Sequence, residues 1–498
     1  MLAKLLSLYT QQKNTIKLML CVGVIIQLIT SYTAVGYYHP DQHFQIIEFS
    51  GHQLGVPNGT NYIWELKAQI RSTVQVYMFS GFSSICNLLS ITDPFVKTTI
   101  LRIITGILLW LLFNTIALII SKQLDKRSAF WLVFIVNFSW FFPYIRSLFS
   151  SEIISSLVFF ATAFWYSKRQ FVAATFQIII VGFLFAIAFY LRFQFAFGLI
   201  GFGLYVLLQK QYKHILPLLV GFILGVVFNT YLDYLFYKQW VCTPYLYYTV
   251  NITQGKAAEF GQDGFTFYIG VLLTEFTILP ISIYLFWHWI KQSVINFNNV
   301  FVLTVLFFVV GHSLISHKEQ RFMFPAIMAM PFIVATALGK VAELYYHTKT
   351  IIKYTFRVCV WLSFILNFII LILFMFVPYA QTLNFASELN KKYKQQTITC
   401  LQRSPLETES LAKCVFYSTN LNGVSYQKIS TNDSLLHQKQ LPKYVATTFN
   451  QVKNDFKMLD SLGYKPVEFG NKFAWKLNQF LMSKEINTIN DIWVLYQR

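Results

Sequence analysis

The sequence predicts an all-α, multi-pass membrane protein that carries a small polar domain near its C-terminal end. Hydrophobic residues make up 55% of the 498 residues and charged residues only 12%, about half the charged fraction of a typical soluble domain. The mean hydropathy is +0.50. The polar residues are concentrated between long apolar runs and after residue 378, which is the arrangement that a bilayer requires.

Eleven hydrophobic runs are long enough to cross a bilayer as helices. They cover residues 15–36, 98–121, 128–145, 149–167, 171–190, 195–209, 214–236, 265–289, 298–316, 323–339 and 356–378. The run 73–92 is ambiguous, because it either spans the bilayer or enters and leaves on one side. A re-entrant run places Lys122, Lys126 and Arg127 with the other cytoplasmic cations, and the positive-inside rule favours this arrangement.

The predicted topology has the N-terminus inside and the C-terminus outside. It divides the chain into a transmembrane domain at residues 1–378, with a large first outer loop at 37–97, and a non-cytoplasmic domain at 379–498. The tail combines a helical pattern at 445–462 with a strand-like pattern at 492–496. We therefore expect a small α+β fold there.

The net charge of +19 is what flanking cations of a membrane protein produce, so it gives no support for nucleic-acid binding. No CxxC, HExxH, P-loop or dinucleotide-binding pattern occurs, and we expect neither a metal nor a cofactor. His39-x-Asp41-x-His43 is a weak metal signal, and hydrogen bonding explains these histidines more simply. Cys400 and Cys414 are the only cysteines of the tail; an oxidising compartment permits a disulfide between them, and this question stays open.

Two polar motifs interrupt the apolar chain, His39-Pro-Asp-Gln-His-Phe-Gln and His317-Lys-Glu-Gln-Arg-Phe. Charged groups are costly near a bilayer and usually mark a working site there. The predicted topology places both motifs on the outer face. The first motif supplies the carboxylate of Asp41, and the second supplies a cluster of cations.

This combination is typical of glycosyl transfer from a polyprenyl-phosphate sugar. An acceptor hydroxyl needs a base that takes its proton, and Asp41 is the candidate. The leaving lipid phosphate gains negative charge, which Arg321 can meet with two parallel hydrogen bonds. Lys318 and His317 are the supplementary donors to that phosphate. Such a sugar donor carries no diphosphate, so a metal held by paired carboxylates is not required.

Five segments resemble, in the same order, motifs of glycosyltransferase family 22, the lipid-linked mannosyltransferases of glycosylphosphatidylinositol and N-glycan assembly. The resemblance is strongest to the third-mannose transferases of glycosylphosphatidylinositol assembly. The matching segments are His39-Pro-Asp-Gln-His-Phe-Gln-x-x-Glu48 (HPDE-[YF]-x-Q-x-x-E), Trp64-Glu65 with Ile70-Arg71-Ser72 (WE…IRS), the region from Arg146 (RT-x-SNS-x-E, loosely), Asp233 to Trp240 with Asn251 (D-x-x-FYG-x-W…N), and His317 to Pro325 (HKEERF-x-x-P).

The resemblance implies a GT-C fold, with residues 1–378 as its catalytic domain, a polyprenyl-phosphate mannose donor and inverting transfer. Two positions depart from the family pattern, because Gln42 and Gln320 stand where the family has glutamates. Asp41 is therefore the sole carboxylate in the core of the first motif. The expected supporting or substrate-contacting residues are His39, Gln42, Glu48, Glu65, Arg71, Arg146, Arg192, Asp233, Trp240, Asn251 and Glu319.

The expected partners are a polyprenyl-phosphate sugar donor, a glycan or glycolipid acceptor and membrane lipid, with no nucleic acid. Two alternatives are a transporter of a lipid or an anionic solute and a non-catalytic scaffold, but a transporter would concentrate charge near the middle of the bilayer. The abundant Phe, Ile, Lys and Asn favour a bacterial host. We therefore expect a bacterial inner membrane with the site facing the periplasm, or the endoplasmic reticulum membrane in a eukaryote.

Overall fold

The computed structural model describes residues 2–53, 64–277, 279–347, 350–408, 412–419, 423–429, 435, 438, 440–449, 456–483 and 492–498. The chain forms two compact units. The first, which we call the helical unit, comprises Met1–Thr33, Glu65–Met78 and Leu101–Val377. The second, which we call the mixed unit, comprises Ala34–Trp64, Phe79–Ile100 and Pro378–Arg498. The mixed unit thus contains both the tail and most of the predicted first outer loop.

The elements from the N-terminus to residue 375 are helices that follow the predicted apolar runs. The α-helices after the first-loop motif are Trp64–Ala68, Val74–Leu88, Pro94–Ser121, Lys126–Phe138, Phe142–Arg146, Ser151–Arg169, Thr175–Leu191, Phe195–Leu208, Ile215–Tyr237, Thr243–Tyr248, Phe267–Glu275, Ile281–Ile295, Val300–Ser313, Phe324–His347 and Thr350–Met375, and Leu2–Thr33 precedes that motif. Short 3₁₀ or π segments are Tyr212–His214, Thr249–Thr253, Lys256–Phe260 and Gln320–Met323. The predicted all-α membrane architecture is confirmed.

The lengths of the helices bear on the number of spans. Among the described residues, five helices are long and apolar enough to cross a membrane, and six if the pair Ile281–Ile295 and Val300–Ser313, bent by 111°, counts as one span. The count of eleven stays a prediction. The predicted span 265–289 consists of two helices, Phe267–Glu275 and Ile281–Ile295, because Pro280 between them lacks a backbone donor.

The ambiguous run 73–92 contains one α-helix, Val74–Leu88, of 15 residues. A bilayer-spanning helix needs about 20 residues, so the length of this helix favours the re-entrant interpretation. Its C-terminal half exposes large apolar side chains, including Ile85 and Leu88. Exposed aliphatic groups on a short helix suit contact with lipid.

Two membrane helices pack with their backbones in direct contact. A Cβ atom at Gly221, on the helix Ile215–Tyr237, would lie 1.9 Å from the carbonyl oxygen of Ile179 on the helix Thr175–Leu191. A Cβ atom at Gly182 on that second helix would lie 2.1 Å from the carbonyl oxygen of Leu218. Small residues permit this approach, which is a common source of helix association in lipid.

The mixed unit contains a five-stranded sheet in the order β2-β1-β3-β5-β4. The strands are β1 (Thr397–Leu401), β2 (Ser425–Ile429), β3 (Tyr444–Thr448), β4 (Lys465–Phe469) and β5 (Trp493–Gln497). β1 pairs in parallel with β2 and β3, whereas β5 is antiparallel to β3 and β4. The helices of this unit are Pro40–Gln42, Phe49–Gln53, Gln381–Lys392, Val415–Ser418, Phe456–Ser461 and Lys472–Ser483, with a π-helix at His43–Glu48.

The predicted α+β character of the tail is confirmed, and so is the strand near 492–496. The helix predicted at 445–462 is wrong in its first part, because Tyr444–Thr448 is a buried strand at the centre of the sheet. Val, Thr and Tyr favour such a strand, and apolar residues cover both of its faces. The second part is helical at Phe456–Ser461, and residues 450–455 lie outside the described residues.

Replacement of Gly221 by alanine should destabilise the helical unit. The added methyl group meets a backbone oxygen that cannot rotate away, and overpacking of this kind costs about 1–3 kcal/mol. Gly203→Ala is the matched control, because nothing lies within 4 Å of a Cβ atom at that helical position. Thermal unfolding in detergent should give a lower midpoint for Gly221→Ala only. Equal midpoints for the two variants would contradict the close helix contact.

Candidate active site

The candidate base, Asp41, lies in the mixed unit at the start of a short helix. His39 caps this helix, since its Nδ1 atom accepts a hydrogen bond from the backbone N–H of Asp41 at 3.3 Å. The side-chain oxygen of Gln42 accepts from the N–H of Tyr38 at 3.1 Å. The Gln42 amide oxygen thus completes the cap at the start of this helix. The Asp41 carboxylate lies 3.6 Å from His39 Nδ1, and its side chain is 33% exposed, so solutes can reach it.

His43 and Glu48 form a buried pair directly after Asp41. The distance from His43 Nε2 to Glu48 Oε1 is 2.6 Å, and both side chains are at most 2% exposed. The same carboxylate oxygen accepts the backbone N–H of Phe416 at 3.0 Å. Glu48, expected among the supporting or substrate-contacting residues, is thus bonded to other parts of the mixed unit. Its geometry indicates a structural role.

The charge state of this pair follows from its surroundings. Burial alone lowers the pKa of the His43 imidazole, but the adjacent Cys414 and Glu48 outweigh this effect and raise the pKa to about 10. His43 is therefore protonated at neutral pH. Cys414 and Cys400 are both free thiols in the structure.

In the helical unit, Glu65 and Arg71 form an ion pair, with 2.5 Å between Glu65 Oε1 and an Arg71 terminal nitrogen. The Tyr237 hydroxyl donates to the backbone carbonyl of Arg71 at 2.8 Å. The guanidinium carbon of Arg71 lies 5.3 Å from the centre of the Tyr247 ring, within the range of a cation–π contact. Glu65 therefore orients Arg71.

Asp233 connects three segments of the helical unit. One carboxylate oxygen accepts from the backbone N–H and the hydroxyl of Thr73, both at 2.8 Å. The other oxygen accepts from the Thr243 hydroxyl at 2.7 Å. All three residues have no exposed surface. A buried carboxylate with three donors stabilises the chain path, so the geometry of Asp233 indicates a structural role.

A network of buried charges forms the centre of the candidate site in the helical unit. Glu152 Oε1 lies 3.2 Å from Arg192 and 3.5 Å from Arg321. Both guanidinium groups also stack on the Phe322 ring, at 4.7 Å and 5.4 Å from its centre. Glu152 is 1% exposed. One carboxylate thus fixes two arginines, and burial makes each of these interactions stronger than it would be in water.

The second polar motif continues this network through Glu319. Arg321 donates two hydrogen bonds to the Glu319 carboxylate, at 2.5 Å and 2.9 Å. His317 Nε2 lies 3.1 Å from Glu319 Oε1. Lys318 instead donates to the backbone carbonyls of Asp263 and Ile315, at 3.0 Å and 2.5 Å. Lys318 therefore fixes the adjoining loop, whereas Arg321 presents a planar group that carboxylates and phosphates both recognise.

Three of the expected residues have other contacts. Arg146 is buried and donates to the carbonyls of Phe142 and Val136, at 3.1 Å and 3.0 Å. Trp240 is largely exposed and stacks on Tyr234, with 4.5 Å between the ring centres. Asn251 donates to the Tyr247 carbonyl at 3.1 Å. These contacts assign local structural roles to the three residues and do not make them part of the charge network.

The sequence did not predict the pairing of Glu152 with two arginines or the burial of His43. Glu152 follows two serines at the start of a helix, where an acidic residue is common for its interaction with the helix dipole. The missing signal was its pairing with arginines 40 and 169 positions away, at 192 and 321. Pairings of this kind arise from tertiary structure.

The expectation that the protein binds no metal stays a prediction.

The fold of this chain is similar to that of a protein of known structure. The fold resembles the crystal structure of ArnT from Cupriavidus metallidurans bound to undecaprenyl phosphate, with a TM-score of 0.50 and 10% sequence identity over 97% of this chain and 98% of that one. The structure of the same protein in the apo state matches equally well, with a TM-score of 0.50 and 11% identity. At these identities the likeness concerns the fold, which is the predicted GT-C fold.

The family is identified more specifically. A family model described as the Alg9-like mannosyltransferase family matches residues 17–409, so the chain belongs to this family. GPI mannosyltransferase 3 of Yarrowia lipolytica is 27% identical over 66% of this chain and 63% of its own length. GPI mannosyltransferase 3 of Candida albicans is 24% identical over 60% of each chain. The chain thus spans about three-fifths of these relatives.

The His43–Glu48 pair predicts how stability depends on pH. The folded-state pKa of His43, about 10, exceeds the value of about 6.5 expected in the unfolded chain. Its stabilising contribution is therefore fully present below pH 6.5 and is lost as the pH rises through about 10. The thermal midpoint of the wild type should fall more steeply between pH 7 and 10.5 than that of Glu48→Gln. Parallel curves for both proteins would contradict a protonated His43.

Proposed function

We propose that the chain is an integral-membrane, inverting mannosyltransferase that uses a polyprenyl-phosphate mannose donor and a glycolipid acceptor. The observation that carries this proposal is the pair of buried guanidinium groups, Arg192 and Arg321, that share the Glu152 carboxylate in a chain of the Alg9-like family. Two fixed arginines beside a membrane-embedded helical body suit the single phosphate of a lipid-linked sugar.

The proposed reaction requires one base. The acceptor hydroxyl attacks the anomeric carbon of the mannose from the side opposite the phosphate, and Asp41 takes the hydroxyl proton. The bond between the anomeric carbon and the phosphate oxygen breaks, and polyprenyl phosphate leaves with the electron pair. Asp41 is suited to this step because its side chain is 33% exposed, whereas the side chains of Glu48 and Glu65 are only 2% and 10% exposed.

The phosphate is proposed to bind Arg321. Its guanidinium group is already ordered by Glu152 on one side and Glu319 on the other, so little side-chain entropy is lost on binding. Glu319 occupies a planar edge of Arg321 in the same bidentate manner that a phosphate would. We infer that donor binding displaces Glu319 towards His317, which already lies 3.1 Å from it.

The names of the relatives support a proposal for the acceptor. The Yarrowia lipolytica relative is named GPI mannosyltransferase 3, and a human relative, 22% identical over 62% of this chain, is named GPI alpha-1,2-mannosyltransferase 3. We propose a mannose-terminated glycolipid as the acceptor and the non-cytoplasmic face as the side of the reaction. That face is the periplasm in a bacterial host and the lumen of the endoplasmic reticulum in a eukaryote.

Transfer should depend on the Asp41 carboxylate. Purified protein is incubated with dolichyl-phosphate mannose or undecaprenyl-phosphate mannose and a panel of mannose-terminated glycolipids, and products are detected as a mass gain of one hexose. Asp41→Asn keeps the size of the side chain but cannot take a proton, so the rate should fall by about 10²–10⁴. The exposed Asp263 supplies a matched control, Asp263→Asn, which should retain the wild-type rate. If Asp41→Asn retains the wild-type rate, a group other than Asp41 is the base.

Donor affinity should depend on Arg321. Arg321→Ala removes a charged hydrogen-bond donor worth about 1.5–3 kcal/mol, so the KM for the donor should rise about 10- to 100-fold. Arg321→Lys keeps the charge without the planar fork and should have an intermediate effect. Arg127→Ala, at an exposed position, is the control. Unchanged donor saturation in Arg321→Ala would assign the phosphate to another group.

A further inference from the structure

The segment that follows Asp41 is fixed by an aromatic stack within the mixed unit. The His43 ring lies between the rings of Tyr37 and Tyr417, with centre-to-centre distances of 5.5 Å and 5.4 Å and interplanar angles of 25° and 17°. Tyr417 also stacks on Phe95 at 4.7 Å. A protonated imidazole between two phenol rings gains cation–π stabilisation as well as apolar burial.

The local helix type explains how His43 and Glu48 meet. In an α-helix the side chains three and four residues apart are neighbours, so residues five apart would point in different directions. His43–Glu48 is a π-helix, in which backbone bonds join residues five apart. This geometry brings the two side chains to the same face. Single π turns are rare and occur frequently at functional sites.

The tail reaches this pair through the short helix Val415–Ser418. The backbone N–H of Phe416 donates to Glu48 at 3.0 Å, and the Phe416 ring packs edge-on against Phe79 at 5.3 Å. The residue before the helix, Cys414, donates its N–H to the carbonyl of Leu406 at 2.8 Å. The helix is therefore joined to the segment that follows the first strand of the sheet.

We propose that the helix Val415–Ser418 is a positioning element for Asp41. On this view, which rests on the proposed function, the tail domain holds His43 through Tyr417 and holds Glu48 through the Phe416 N–H. These contacts fix the backbone two residues beyond Asp41 and thereby the direction of its carboxylate. A base that is misplaced by about 1 Å can lose on the order of 10² in rate, so a remote contact has a measurable effect on turnover.

Tyr417→Ala, which removes the ring, should lower kcat on the order of 10²-fold. The KM for dolichyl-phosphate mannose should stay within about twofold of the wild type, because Tyr417 is assigned no contact with the donor. Tyr417→Phe keeps the stacking on His43 and Phe95 and should restore most of kcat. This recovery would separate the ring contact from the hydroxyl group. The pH at which kcat is half-maximal should stay that of the wild type in Tyr417→Phe.

A second readout does not depend on catalysis. Hydrogen exchange of the backbone amides in residues 37–49 should become faster in Tyr417→Ala, because the stack no longer protects them. Trp475→Leu is the control within the same domain, since Trp475 packs on Phe449 and Phe469 in the core beside the sheet. It should lower the thermal midpoint and leave the exchange of residues 37–49 unchanged.

The outcomes separate the inference from the function on which it rests. If the wild type transfers mannose from neither lipid-phosphate mannose, the proposed function is overturned. Faster hydrogen exchange in Tyr417→Ala would still support the contact of Tyr417 with His43. If Asp41→Asn inactivates the enzyme but the single variant Tyr417→Ala keeps the wild-type kcat, the positioning role of the helix Val415–Ser418 is overturned. Equal exchange of residues 37–49 in Tyr417→Ala and the wild type would overturn it as well.

Discussion

The burial of charge in an apolar environment is the constraint on which the candidate site depends. An isolated carboxylate inside a membrane protein is unstable unless cations and hydrogen-bond donors surround it. Glu152 satisfies this requirement with Arg192 and Arg321, which come from distant parts of the sequence. Because each group needs the others, the three side chains fix the relative positions of the segments that carry them. The site is thereby organised before any substrate binds.

The same constraint acts in the mixed unit, where a different solution appears. Glu48 is paired with a protonated imidazole and a backbone N–H, and aromatic rings cover the imidazole on both faces. The Glu48 carboxylate thus stabilises the segment that carries it. This leaves Asp41, which is partly exposed, as the acidic group of that motif that remains accessible to solutes.

Much of the architecture was predictable because it depends on local composition. Long apolar runs become helices, since a lipid environment requires every backbone polar group to be satisfied within the segment. The ordered motifs from His39 to Pro325 identified the family. The prediction failed where context decides: 265–289 is interrupted near Pro280, and Tyr444–Thr448 is a strand because β1 and β5 pair with its two edges and apolar residues cover both faces.

The sequence by itself determined the class of protein, the helical body, the family and the residue types available for chemistry, because these depend on composition and on motifs read along the chain. Only the tertiary structure decided which charges are used for support and which stay available. Glu48, Glu65 and Asp233 are similar to Asp41 as sequence signals, yet their side chains are buried against internal partners, whereas the Asp41 side chain is 33% exposed. The physical reason is that a charged group's role depends on its distance to partners and to water, and long-range pairings set both.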